Sequence, residues 1–549
     1  MSSSPQCRTI VGDADWPHPA QWSSFNQSVD GKLVATVPIA APCHRTLFNQ
    51  ANLSLYDEQQ CADLRNTWFF SKTHLPSSSS PMAYQFTNNS CNPWLDADSP
   101  CTLGYLPNYT VNATSAEDIR KAVVFAKEYN IRLVIRNTGH DYLGKSTGAF
   151  SLAVWTHYMK NIELLPHYAN DQYSGAAIKV GAGLEGIEAN TFADAHGLML
   201  VGGNCPSVGI AGGYSQGGGH GPLVSKFGLA VDQVLEWEVI TAQAELLTAS
   251  PASHPDLYWA LSGGGGGTFG VVVSMTVKAH PTTYGSVATL TAANTGNNTD
   301  AFYEGIGHFL QELPKMVDAG AFVVWIATPE AFTILPAFAP GLHQDQLDDM
   351  FQPTREIFST LGISLTYQSY EQPTFLELYN SLPDIWNVSD ASLGGRLIPR
   401  SLLQTNPDGL VDAIRFIASQ ATMTGVSYNV ANATAPDFNS ANPHLRDTIF
   451  GIVLGEPVSY TDWEKTEEGQ QRITNVLLPT LQELTPNGAA YLNEADVNSP
   501  LWREEFYGGN YERLDKIKNK YDPDDLFYAK TGVGSHRWEQ GDDGRLCRT

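Results

Sequence analysis

No apolar run in the 549 residues approaches the roughly 20 needed to cross a bilayer. The opening MSSSPQCRTI has no apolar signal-peptide core either. Positive charge is scarce: 32 Lys and Arg stand against 57 Asp and Glu, giving a net charge of −25. Such a surface repels phosphate backbones and anionic lipid, so neither nucleic acid nor membrane is expected as a partner. There is no repeat of fixed period, and no metal site is expected. The pentaglycine Gly263 to Gly267 lacks a following Lys-Ser or Lys-Thr, which excludes a P-loop and leaves, taken alone, a flexible turn.

The length exceeds what one hydrophobic core usually serves, so two or more domains are expected. Eight N-x-[S/T] triplets open at Asn26, Asn52, Asn88, Asn108, Asn112, Asn297, Asn387 and Asn432. They point to a secreted, extracellular protein carrying N-glycans and supplied without its leader. A monomer is expected. Setting Cys205 aside leaves six cysteines, enough for three disulfides in an oxidising compartment. Cys91 and Cys101 enclose a short loop and are the favoured pair. Cys43 with Cys61 and Cys7 with Cys547 follow by elimination, among the fifteen connectivities that six cysteines allow.

Residues 1–100 read as an irregular, disulfide-tied extension without its own core, with a helix around Asp57 to Thr67. At Ser115 a capping box with Asp118 starts a helix whose buried face is Ile119, Ala122, Val123 and Ala126. A strand over Ile131 to Ile135 then delivers the loop RNTGHDYLG. A second unit repeats that logic. The strand AIKVGAG and a helix over Glu188 to Ala195 are followed by a strand Leu198 to Val201, which leads into VGGNCPSVGIAGGYSQGGGHG. Residues 101–283 therefore form one mixed domain, closed by the strand in TFGVVVSMTVKAHP. From 284 to 485, long amphipathic helices alternate with strands such as AFVVWIAT and IFGIVLG, as expected of a substrate-side α/β unit. Residues 486–549 are expected to return to the first domain.

Both special loops present a nucleophilic atom on glycine-flanked backbone, His140 in one and Cys205 in the other, and backbone can approach a flat or phosphorylated partner there. The bland alternatives are a loop histidine bonded to backbone and an inert or intermolecular thiol. GAGLEG at Gly181 to Gly186 matches a dinucleotide fingerprint between strand and helix. The strand after it, however, ends in glycines without the ribose-binding carboxylate, which argues against NAD(P).

RNTGHDYLG, NCPSVGIAGGYSQGGGHG, DLYWALSGGGGGTFGVV and YGGNYERLDKIKNKYDPDDLF, in that order, resemble the berberine-bridge-enzyme-like branch of the vanillyl-alcohol-oxidase flavoproteins, with fungal secreted members most similar. The resemblance implies an α+β fold: a PCMH-type FAD-binding domain of two subdomains, an α/β substrate-binding domain, and a C-terminal segment packing back on the first. It implies FAD attached at His140 and at Cys205. Arg136, Asn137, Thr138, Gly139, Val208, Gly209, Gly212, Gly213, Gly217, His220, Gly270, Val272 and Asn510 complete the implied cofactor contacts. Gly213 departs from the family pattern, which often has a histidine there. Val208 matches a position where small β-branched residues accompany use of oxygen.

For catalysis, the family's tyrosine base position is occupied by Glu494 in YLNEAD, which fits a general base and a structural ion-pair partner equally. The other family base is missing from GGRLIPR. Arg396 or Arg400 there could face the cleft or form a surface pair, and Tyr142 could line the cleft or serve packing. The implied activity is a flavoprotein oxidase taking hydride from an oligosaccharide or from an aromatic or secondary-metabolite alcohol, with O2 reduced to H2O2. A dehydrogenase or cyclase of the same family, or a secreted scaffold without catalysis, is the alternative.

Overall fold

The computed structural model describes residues 6–48, 50, 53–381, 387–435 and 437–549. The capping box at Ser115 forms as expected: Asp118 N–H donates to Ser115 Oγ at 3.3 Å and Ser115 N–H to Asp118 Oδ2 at 3.0 Å. The helix it opens, Ala116–Glu128, buries Ile119, Ala122, Val123 and Ala126. That helix is the crossover between parallel strands. Tyr109–Asn112 and Leu133–Arg136 lie on either side of Leu152–Trp155, and both run parallel to it. A second sheet of five strands is antiparallel throughout, in the order Ile162–Ala169, Ser174–Gly181, Val271–Lys278, Val234–Ile240, Leu246–Ala249. Antiparallel neighbours on both sides of Ser174–Gly181 remove the βαβ unit that a dinucleotide fingerprint requires. GAGLEG is therefore a strand-to-helix turn in another architecture.

Residues 285–457 contribute a seven-stranded antiparallel sheet, in the order 365–372, 285–293, 331–340, 322–327, 422–427, 448–457, 391–399. Period-two alternation assigns its faces. Val323, Trp325 and Ala327 join the core under the helices Thr299–Asp318, Gln344–Thr360 and Pro407–Ala418. Phe322, Val324 and Ile326 turn the other way, into a cavity shared with the first domain. The C-terminal segment does return: Phe506, Tyr507, Leu514, Ile517 and Phe527 are buried in the first domain's core.

The N-terminal extension needs correction. Trp22, Phe25 and Val29 pack in that same core, and Leu33–Ala35 adds an antiparallel strand to Tyr109–Asn112. Residues up to about 35 thus belong to the first domain. The stretch that follows holds a small core of its own around Leu47, Trp68 and Tyr84, shared with Val458 and Tyr460. Trp22, Phe25 and Val29 do stand at helical spacing on and just past the helix Pro19–Ser28, but the stripe is too short to stand out in a segment rich in Pro, Ser and Asn. All three expected disulfides are present: Cys7–Cys547, Cys43–Cys61 and Cys91–Cys101.

Candidate active site

The two special loops meet at one end of a cavity of about 620 Å³. RNTGHDYLG leaves the strand Leu133–Arg136 and turns at Gly139, whose φ of +88° suits glycine and where a Cβ would lie 2.4 Å from Arg136 Nη1. The cysteine loop turns through Val208 and enters a π-helical turn, Ile210–Tyr214. Where the loops touch, His140 Nε2 lies 2.8 Å from Ser207 Oγ and Cys205 Sγ lies 3.6 Å from the same oxygen. Imidazole nitrogen and sulfur, 65 residues apart in sequence, thus share one hydroxyl at the cavity wall. Burial, with His74 and Arg136 adding positive charge, pushes the His140 imidazole down to about 3. It is therefore neutral, with one ring lone pair to give.

Glycines make the rest of that wall. Gly209, Gly212 and Gly213 line it from one loop and Gly266 and Gly267 from the pentaglycine. A Cβ on Gly266 would lie 2.9 Å from Gly213 Cα, so the two backbones face each other with no side chain between. The pentaglycine is not the free turn expected of it. Gly263 and Gly265 N–H both donate to Gln216 C=O, at 3.0 and 2.9 Å, and a Cβ on Gly263 would meet Ala441 N at 1.9 Å. Polar atoms also wait at this wall. Asn204 Oδ1, Tyr214 Oη and His220 Nδ1 are buried without a partner among the described residues, although all three residues line the cavity.

Against the same wall, the tail sequence YLNEAD brings Tyr491, Asn493 and Glu494 to the cavity, where Asn493 Nδ2 donates to Gly213 C=O at 3.1 Å. Glu494 Oε1 accepts from His220 Nε2 at 2.9 Å. Tyr491 Oη accepts from Gly219 N–H at 3.0 Å and lies 2.7 Å from Asn493 Nδ2. Burial, reinforced by the Glu494 charge, pushes the Tyr491 phenol above its ordinary range. Tyr142 also lines the cavity, and burial, then Cys205 and Glu494, keeps its phenol protonated.

These features match known proteins. The FAD binding domain family matches residues 107–250, and the berberine and berberine-like family matches residues 490–534. The chain is 44% identical to the FAD-linked oxidoreductase sor8 of Hypocrea jecorina, over 100% of this chain and 94% of that one. It is 39% identical to the VAO-type flavoprotein oxidase VAO615 of Thermothelomyces thermophilus, over 99% of this chain and 96% of that one. The crystal structure of the VAO-type flavoprotein MtVAO615 from Myceliophthora thermophila C1 superposes with a TM-score of 0.94 at 38% identity, covering 99% of this chain and 100% of the other. This chain belongs to the VAO-type, berberine-bridge-like family of FAD-linked oxidoreductases.

As a VAO-type oxidoreductase the protein uses FAD, and the wall fits that group: exposed glycine backbone for a flat ring and a pyrophosphate, and orphaned donors and acceptors beside it. Of the cofactor contacts expected from sequence, Asn137, Thr138, Gly139, His140, Cys205, Val208, Gly209, Gly212, Gly213, His220, Gly270 and Val272 line the cavity. Three do not. Arg136 lies behind the loop, donating from Nη2 to His74 C=O at 3.1 Å and from Nε to Ser77 C=O at 3.2 Å. Gly217 makes room for Asn493, whose Nδ2 a Cβ would meet at 2.6 Å. Asn510 Nδ2 donates to Ser440 and Ala441 carbonyls at 3.1 and 3.3 Å, bracing the loop that seats the pentaglycine.

Arg396 is likewise corrected. Leu393 faces the cavity, so strand alternation sends residue 396 to the opposite face. There Arg396 Nη1 pairs with Glu505 Oε1 at 2.6 Å and Nε donates to Thr485 Oγ1 at 2.8 Å, a buried structural pair. Arg400 forms an ion pair with Asp318 at the surface. Lys145, Asn204, Tyr214, Gly266 and Asp390 line the cavity and escaped the sequence reading. Asn204 and Tyr214 inside the glycine run, and Gly266 inside the pentaglycine, carried a signal in their motifs, whereas Lys145 and Asp390 carried none.

Proposed function

We propose that the protein is a secreted oxidase that holds FAD by bonds to both His140 and Cys205 and oxidises a small, largely apolar alcohol. The observation that carries it is the pairing of these two nucleophiles at one hydroxyl on a glycine-lined cavity wall. Bound FAD supplies a two-electron acceptor for substrate hydride and returns the electrons to O2 as H2O2. Val208 on the cavity wall supports oxygen as the acceptor. The substrate side supports the alcohol class: Phe322, Val324, Ile326, Val426, Val453 and Leu393 form a mostly apolar face, with hydroxyls at Thr422 and Thr424, that offers an oligosaccharide few partners.

Glu494 is the proton acceptor in this reading. His220 holds one carboxylate oxygen in place, and the second makes no hydrogen bond among the described residues. The protonated Tyr142 phenol is a donor for the substrate oxygen. The sequons and disulfides support secretion. Asn88, Asn297, Asn387 and Asn432 are exposed, Asn26, Asn108 and Asn112 are half-buried, and Asn52 lies outside the described residues.

The test is H2O2 release on a panel of aromatic and aliphatic alcohols with oligosaccharides alongside, in wild type and Glu494→Gln. The variant is expected to lose about 10²- to 10⁴-fold in kcat/KM with its flavin content unchanged. Full activity in Glu494→Gln removes the base. Turnover confined to oligosaccharides removes the substrate class, and absence of peroxide with any turned-over substrate removes the oxidase.

A further inference from the structure

Ser207 sits where His140 and Cys205 converge, and it has a further neighbour: its hydroxyl donates to Ser71 Oγ at 2.9 Å. Both serines are buried, at 8% and 6% exposure, so this network is shielded from bulk water. Ser71 opens the short helical turn Ser71–His74 of the N-terminal segment. Two backbone carbonyls tie that segment to the histidine loop. Met82 N–H donates to Gly139 C=O at 3.0 Å, and Arg136 Nη2 to His74 C=O at 3.1 Å.

A hydroxyl has one hydrogen to give and two lone pairs to receive with. Since the hydrogen of Ser207 goes to Ser71, both lone pairs remain, one towards His140 Nε2 and one towards Cys205 Sγ. Accepting from Nε2 fixes the proton of the neutral imidazole on that nitrogen and leaves the lone pair on Nδ1. The thiol hydrogen is likewise directed at Ser207.

We propose that Ser207, braced by Ser71, is the positioning residue for flavin attachment: it selects the Nε2–H tautomer of His140 and aims the Cys205 thiol. This rests on the reading that FAD is bonded to both residues. At His140, attachment forms a bond from Nδ1 to a flavin carbon and breaks one flavin C–H and the Nε2–H. At Cys205 it forms an S–C bond and breaks one C–H and the S–H. In each case two electrons and two protons are left on the flavin, and dioxygen removes them as H2O2. Both breaking N–H and S–H bonds point at the one oxygen of Ser207, which its hydrogen bond to Ser71 holds in place. The N-terminal segment is therefore a part of the attachment machinery.

The test is peptide mapping by mass spectrometry of the purified full-length protein, with total flavin measured before denaturation. Ser207→Ala is expected to bind flavin yet lose the flavin-bearing His140 peptide, with the Cys205 peptide modified less than in wild type. Ser207→Thr, which restores a hydroxyl, is expected to recover both. A Ser207→Ala map identical to wild type overturns the role of the hydroxyl and leaves double attachment standing. Unmodified His140 and Cys205 peptides in wild type overturn double attachment itself. Should Ser207→Ala fail to fold, Ser71→Ala decides: unmodified His140 peptide supports the bracing of Ser207, and complete modification overturns it.

Discussion

His74 shows what burial does to a single side chain near this site. It is fully buried, with Nε2 donating to Trp68 C=O at 2.6 Å and Nδ1 2.8 Å from Ser80 Oγ. Desolvation, with Arg136 nearby, pulls its imidazole from 6.5 to about 4, although the Trp68 carbonyl works the other way. Below its ordinary value the unfolded chain takes up a proton that the native state refuses. Stability from this residue is thus complete above pH 6.5 and is lost as pH falls towards 4, at most ~3 kcal/mol. His74→Gln is expected to flatten the fall of the urea midpoint between those pH values, by up to one proton's worth of slope. An unchanged slope contradicts it. At the same scale, His140 and Cys205 were legible because glycines flank them in sequence. Arg396 was not, since its position depends on strand parity in a sheet whose register no single strand reveals. Asn510 was implied as a cofactor contact by the family resemblance, and its amide bonds instead to the Ser440 and Ala441 carbonyls.

At the scale of elements, close backbone approach governs the site. Gly209 is the tightest case, since a Cβ there would lie 1.9 Å from Asn137 Oδ1. Asn137 cannot withdraw freely, because its Nδ2 donates to Thr156 Oγ1 at 3.1 Å and to Ala182 C=O. Gly209→Ala is therefore expected to cost about 1–3 kcal/mol through overpacking and to lower flavin content. Thermal unfolding with a flavin assay checks it, and a wild-type melting temperature with full flavin contradicts it. The helix Ala116–Glu128 and the strands Leu133–Arg136, Ser174–Gly181 and Val271–Lys278 were legible from capping and period, whereas Tyr109–Asn112, Leu152–Trp155 and Ile162–Ala169 were not. The pentaglycine was misread because its rigidity comes from Gln216, distant in sequence. The faces of the large sheet could be assigned only once its strands were in register.

The whole molecule is closed by its ends. Cys7 joins Cys547 across 540 residues, and Arg8 Nη2 donates to Asp525 C=O at 2.6 Å beside that bridge. By chain entropy a long loop is worth more than a short one, so removing this bridge as Cys7→Ser with Cys547→Ser is expected to cost about 2–5 kcal/mol. That loss should exceed the one from removing Cys91–Cys101, whose separation is 10. Denaturant midpoints of the two double variants compare them, and a smaller loss for the terminal pair contradicts it. Two domains and the returning tail were legible at this scale. The N-terminal segment was not, because its helix and strand find their partners more than 70 residues away.

Everything proposed for this site rests on two loops, far apart along the chain, being bonded to one flavin. Intact-mass measurement on the denatured protein, with its visible spectrum, tests this most directly. A mass increase of one FAD over the peptide is expected in wild type, retained in His140→Ala and in Cys205→Ala through the remaining bond, and absent from the double variant. A denatured wild-type chain that is colourless and has the bare peptide mass contradicts the account.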